Sequence, residues 1–260
     1  MPPSRRALDG PPLDRRTLNR TLLARQGLLE RAAARPEAMV ERLVGLQAQV
    51  PRDPYITLWS RIEGFKAAAL ERLLLERRVV RMTLMRTTLH LVTARDAVAL
   101  RTAMQAVCER AFAGSLFQRR LAGADVPAIV RAGTELLDEA PLSIAELGRA
   151  LQRHWPSYEA VDLGLAVRYR VPLVQVPPRG LLSQSAPPRM TTLRAWLGPS
   201  GEISDDPDAR AAAEDAAVLR YLAAFGPSTT ADIRAWSWLQ GAAGILDRLG
   251  DRIRWRRDDR

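Results

Sequence analysis

The sequence predicts a mostly helical α+β chain built from tandem units, each a group of short helices followed by a short β-ribbon. Three observations carry this prediction. Leucines and other apolar residues recur at three- and four-residue spacing through most of the chain, as on amphipathic helices. Stretches rich in β-branched residues interrupt them at 79–92 and 171–176. A polar, breaker-rich segment at 198–208 then separates a last helical group.

Residues 1–13 carry four prolines and read as a flexible lead-in. A first unit spans 14–122. Leu18, Leu22 and Leu29 give a helical face over 17–33. Pro36 and Glu37 open a second helix with Met39, Leu43 and Leu46 as its apolar stripe; it reaches about residue 46, because Pro51 pushes Val50 out of the α region. Leu58, Ile62 and Phe65 place a helix over 57–65, and 67–76 form another. Residues 81–92 alternate in places as wing strands do, and Asp96 begins a helix running toward Phe117.

A second unit covers 123–197. Asp125 caps a helix ending near Ala140, and Ser143 with Glu146 forms a capping box for a helix through His154. A third helix covers 160–170, followed by a wing at 171–176, a Pro-Pro-Arg-Gly turn at 177–180 and a strand over 191–196. Short helices followed by a two-stranded wing are the winged-helix order. The segment 198–208 is a linker, and 209–260 is a third unit. In it, 211–225 is helical, Ser228 to Asp232 cap the next helix, 242–249 is a recognition-type helix, and 252–257 reads as a strand. The chain stops at Arg260 as this unit starts its β portion, so the third unit is expected to be incomplete.

Charge narrows the partner. Arg and Lys outnumber Asp and Glu by 39 to 29, a formal net charge of +10, which favours nucleic acid over an anionic membrane surface. Lys66 is the only lysine. An Arg-for-Lys bias follows from a GC-rich genome, but arginine also grips phosphate bidentately. The lone Cys108 and the two histidines, His90 and His154, exclude a disulfide and a His/Cys zinc site. No metal or cofactor is expected. No apolar run reaches membrane-spanning length and the start lacks a secretory pattern, so the expected location is cytoplasmic and nucleoid-associated, with no membrane partner. No coiled-coil segment is evident, and a monomer is expected. Phosphate-loop, dinucleotide, Ser-His-Asp and HExxH patterns are absent.

The most informative segment is LVGLQAQVPRDPYITLWSRI at 43–62. Gln47 and Gln49 flank the small apolar Ala48. Where a helix end turns extended, residues two apart share a side, so both amides point one way and Ala48 points inward. Such a pair can hold a water or a sugar oxygen. A glutamine is otherwise an ordinary surface residue.

This segment and VVRMTLMRTTLHLVTARDAVALR at 79–101 resemble the AlkZ/YcaQ-type winged-helix DNA glycosylases, as do LNRTLLARQGLLER at 18–31 and YRVPLVQVPPRGLL at 169–182. The resemblance runs from about residue 14 to 257. It implies three tandem winged-helix units around a concave basic channel that binds double-stranded DNA carrying alkylated purines. It also implies catalysis by a Gln-apolar-Gln motif, which Gln47-Ala48-Gln49 matches; that branch is associated with unhooking azinomycin-type interstrand crosslinks. Family members generally continue past the point where this chain stops, with strands that include a DNA-contacting hairpin.

The resemblance assigns Gln47 and Gln49 to positioning water and supporting the positive sugar. An amide accepts and donates hydrogen bonds but is no general base, which limits the substrate to cationic alkylpurines that depart readily. His90 is either a structural strand histidine or a site-lining donor. Arg86 and Thr88 share its strand face by period two, a polar row facing the channel. Asp53 reads as a loop residue with no catalytic role, and Trp59 as core. Arg20, Arg61, Arg168, Arg170 and Arg179 are the expected DNA contacts, with Arg61 alternatively covering the core by its stem. Three functions stay open at this point: an alkylpurine DNA glycosylase, a non-catalytic winged-helix regulator, and an inactive truncated homologue.

Overall fold

The computed structural model describes residues 12–257, and the first eleven residues of the proposed lead-in lie outside them. The chain folds as a mostly helical α/β protein around one small antiparallel sheet. No helix among the described residues is long and apolar enough to cross a membrane.

Helix α1 (Arg15–Arg25) is capped by Asp14 and ends well before residue 33. Gly27 adopts φ +68°, Gly27 N–H donates to Ala24 O and Leu28 N–H donates to Leu23 O. This glycine-terminated Schellman stop corrects the longer helix expected over 17–33. Helix α2 (Pro36–Arg42) also stops early, for the same reason. Val44 and Gly45 take φ +55° and +93°, and Gly45 N–H donates to Val40 O. The turn at 44–45, not Pro51, ends this helix and frees β1 (Leu46–Gln47) to join the sheet. Any Cβ on Gly45 would lie 2.7 Å from Val92 Cγ1, so the bend needs glycine.

Helix α3 (Asp53–Trp59) begins and ends earlier than the expected 57–65, and α4 (Ala67–Leu75) follows. Ile62 is buried in a bridge to Ala32 instead of on a helix. Strands β2 (Val79–Thr83) and β3 (Leu89–Thr93) form a ribbon closed by a turn. Helix α5 (Ala94–Ala113) is capped by Thr93, with Asp96 in its first turn, and a separate α6 (Leu116–Arg120) is capped by Ser115.

Helix α7 (Val126–Glu139) is capped by Asp125, and α8 (Ile144–Gln152) by the Ser143–Glu146 box. Helix α9 (Ala160–Arg170) matches its expected span. Strand β4 (Leu173–Gln175) pairs with β5 (Met190–Thr192). The expected strand over 191–196 becomes α10 (Leu193–Leu197), because Thr192 Oγ1 accepts from Ala195 N–H and starts a helix there. Helix α11 (Pro207–Phe225), α12 (Thr230–Ser237) and α13 (Ala242–Leu249) complete the described helices. The strand expected over 252–257 is absent among the described residues. A short 3₁₀ turn at Gly250–Arg252 leads into a stretch in which Trp255 packs against the core and Arg257 O accepts from Leu13 N–H at 3.0 Å.

The sheet order is β1-β3-β2-β4-β5, antiparallel throughout. The two ribbons read from sequence as separate wings are therefore hydrogen-bonded to each other, Arg81 opposite Gln175 and Met82 opposite Val174. Side-chain alternation divides the core. Val80, Met82, Val92 and Val174 face α5, α11 and α13. Leu46, Ala48, Val79 and Leu91 face α2, α3 and α4. Leu173 and Met190 join a third cluster built on α7, α8 and α9. Arg220 in α11 donates to both Asp96 oxygens, at 2.8 and 2.6 Å, and to Glu41 O at 2.7 Å, which ties the last helical group to α5 and α2.

Candidate active site

The Gln47-Ala48-Gln49 segment is the edge of the sheet. Leu46 and Ala48 are buried and Gln47 and Gln49 are exposed. Gln47 stands opposite His90 in the register, and Ala48 N–H donates to Leu89 O at 2.8 Å. Past that point the backbone diverges. Gln49 continues the ladder with its side chain, its Oε1 accepting from Leu89 N–H at 3.2 Å. That bond identifies the oxygen end of the amide.

The two amides line different depressions. Gln47 borders one of about 410 Å3 with Gln26, Asp53, Thr57 and Arg61. Gln49 borders another of about 470 Å3 with Arg81, Arg168, Gln175 and Arg179. Asp53, read as a loop residue, is the first residue of α3, half-buried and beside Gln47's depression.

Arg81 is a site residue that sequence reasoning missed. It is 1% exposed, and Nη2 donates to Ala48 O at 2.9 Å while Nε donates to Gln175 Oε1 at 3.1 Å. It thus holds the carbonyl between the two glutamines. Burial, with the charge of Arg179 adding to it, pulls its guanidinium down to about 10. Gly180 makes room for it: a Cβ there would lie 2.7 Å from Arg81 Cδ, and Gly180 already sits at φ +103°. Tyr55 O–H in turn donates to Gly180 O at 2.8 Å, and burial pushes its phenol up to about 12. The only signal for Arg81 in the sequence is a charged residue between Val80 and Met82 in a strand-forming run.

The polar row expected on the His90 strand is not a row. Arg86 and Thr87 occupy left-handed backbone, φ +55° and +57°, in the turn before β3, because the ribbon reverses there. Arg86 donates to Trp236 O in α12, and its other Nη lies 3.5 Å from Gln47 Oε1, the outer limit of a hydrogen bond. Thr88 O–H donates to Met85 O. His90 is 3% exposed and lines neither depression. Its Nδ1 lies 3.0 Å from Thr88 O, so the neutral ring carries its proton there.

Burial pushes His90 down to about 4. The fold favours the neutral ring, so this stability is complete above the unfolded-state value near 6.5 and is lost as pH falls toward 4. The loss is about 3 kcal/mol by linkage. Urea unfolding at pH 7 and pH 4 is expected to show a larger drop for the wild type than for His90→Gln. Equal drops would remove this account of the ring.

The predicted arginines separate into groups. Arg168 and Arg179 meet at the Gln49 depression. Arg61 lines the Gln47 depression, but its nitrogens serve Gln26 O, Thr57 O and Ser60 Oγ at 2.8 to 3.0 Å, and burial lowers its pKa. Arg20 is exposed on α1 and Arg170 half-buried at the end of α9, both outside these depressions. Trp59, expected in the core, is 55% exposed with the Arg31 guanidinium 4.5 Å over its ring; Leu58 takes the buried position because the helix presents that residue inward.

Comparison with curated proteins gives no match. Among solved structures, the chain is similar to Streptomyces sahachiroi DNA glycosylase AlkZ, with TM-score 0.70 and 19% sequence identity over 93% of this chain and 66% of that one. At this identity the likeness establishes the fold, and the chain spans just under two thirds of that structure's length. Residues 40–258 match the family model described as DNA glycosylase AlkZ-like, a span that holds the glutamine strand and most of the chain. The chain therefore belongs to the AlkZ-like DNA glycosylase family.

Proposed function

We propose that this protein is a monofunctional DNA glycosylase that hydrolyses the N-glycosidic bond of cationic alkylpurines of the N7-alkylguanine type in double-stranded DNA, crosslinked adducts included. The carrying observation is the pair of exposed glutamines flanking buried Ala48 at the sheet edge, inside the family match, with Gln49 bordering an arginine-lined depression. In this reading the chain acts as a cofactor-free monomer, and its helix groups and ribbons are tandem winged-helix units around a basic channel.

An alkylated N7 gives the purine a positive charge, so the base leaves as a neutral molecule and needs no strong acid. What remains is to place water and to stabilise the oxocarbenium sugar with fixed dipoles. Gln47 and Gln49 perform these tasks. Each carboxamide oxygen has two lone pairs. On Gln49 one is taken by Leu89 N–H, which fixes the amide and leaves the other for the water or the sugar. The Arg81 bond to Ala48 O keeps the strand between them rigid. Extruding the lesion from the stack exposes the bond to be cut, and the open depressions leave room for bulky adducts.

Neither amide titrates, and His90 stays neutral above about 4. Purified protein is therefore expected to release 7-methylguanine from methylated duplex DNA at a rate nearly flat through neutral pH, and to leave uracil in place. Binding to undamaged duplex with sequence preference and no base release would favour a DNA-binding regulator and reject this function.

A further inference from the structure

The depression beside Gln49 is built for an anion. Arg81, Arg168 and Arg179 line it, and no Asp or Glu does. Arg81 is the informative member. A buried cation is costly unless an opposite charge compensates it. Yet its hydrogen-bond partners, Gln175 Oε1 and Ala48 O, are both neutral. Arg179, close enough to depress its pKa, is a second cation instead of a counterion. Among the described residues the Arg179 side chain donates one long hydrogen bond, Nη1 to Ala186 O at 3.4 Å. The first turn of α8, at Ser143 and Ile144, borders the same space, its dipole end already met by the Glu146 carboxylate of the capping box. Leu89 and Met190 add an apolar wall on which a sugar ring can rest.

We propose that this depression is the subsite for one backbone phosphodiester of the bound DNA, next to the nucleotide served by Gln47 and Gln49. Arg168 and Arg179 hold the two non-bridging oxygens, and Arg81 supplies charge from beneath. Because Arg81 also holds Ala48 O, the phosphate is seated against the strand that carries both amides. This rests on DNA being the substrate. It goes further by placing one particular phosphate in one particular depression, where a general basic surface would treat many phosphates alike.

The test is a phosphate walk. Duplexes carry one non-cleavable tetrahydrofuran abasic site and a single neutral methylphosphonate, moved one linkage at a time. The wild type is expected to lose about tenfold in affinity at one linkage beside the abasic site, as for one charge-assisted contact. At that linkage Arg168→Gln and Arg179→Gln are expected to lose less than about twofold, the contact being already gone. Both replacements lie at half-exposed positions and spare the buried Arg81. Equal small losses at all linkages, or the same tenfold loss in wild type and both variants, would overturn the subsite. The walk reads binding alone. Base release with a uniform walk rejects the subsite and keeps the glycosylase, a localised walk without base release does the reverse, and no DNA binding rejects both.

Discussion

Gln47→Ala is expected to slow single-turnover release of 7-methylguanine by about 10²- to 10³-fold, the usual loss when one preorganised dipole is removed from a developing charge. Its stability should barely change. Gln47 is exposed, and the side-chain hydrogen bond described for it is a long one, from Arg86 at 3.5 Å. Gln49→Ala is expected to lose rate to a similar degree and, in addition, about 1 kcal/mol of stability, because Leu89 N–H loses its acceptor. The pair of measurements separates catalysis from scaffolding. Quenched-flow or gel-based single-turnover rates, beside urea unfolding of the same preparations, read both. Wild-type rates in both variants would remove the glutamines from the chemistry, whatever the lesion. A rate loss in Gln49→Ala alone, matched by its stability loss, would reduce Gln49 to a strand cap.

Gly148→Ala is expected to destabilise the protein by about 3 kcal/mol, seen as a fall of roughly 10 °C in Tm. An added Cβ would sit 2.0 Å from Ala160 O and 2.7 Å from its carbonyl carbon. The opposing approach is also too tight for a side chain, since a Cβ on Gly164 would lie 2.8 Å from Ile144 O. Helices α8 and α9 therefore meet backbone to backbone, and neither can yield by turning a side chain. The damage extends to function, because α9 carries Arg168 and the start of α8 borders the same depression. Gly244→Ala is the control. Nothing lies within 4 Å of its new Cβ inside α13, and alanine there is expected to stabilise by up to about 1 kcal/mol. Equal melting temperatures for the two variants would show that α8 and α9 have room for a side chain between them.

The legible part of the fold was the part encoded by near neighbours. The boundaries of α9 and α13, the Ser143–Glu146 capping box, and the inward turn of Ala48 between two outward glutamines all follow from spacing within a few residues. The two early helix stops were also written locally, in Gly27 and in Val44-Gly45. Apolar periodicity masked them, because the leucines beyond each stop continue a helical rhythm that the backbone abandons.

From local spacing the sequence alone settled the spans of α9 and α13, the surplus of arginine over acids, and the two amides flanking an alanine just before a proline. Only the tertiary structure decided that two ribbons merge into one sheet, that Arg81 is sunk beneath the glutamine strand, that the two amides border separate hollows, and that Arg61 is spent on neighbouring carbonyls. The physical reason is distance along the chain. Amphipathic spacing is a property of adjacent residues, whereas the partner of a strand edge or of a buried guanidinium comes from segments as far apart as Arg81 and Gln175, and no local pattern names it.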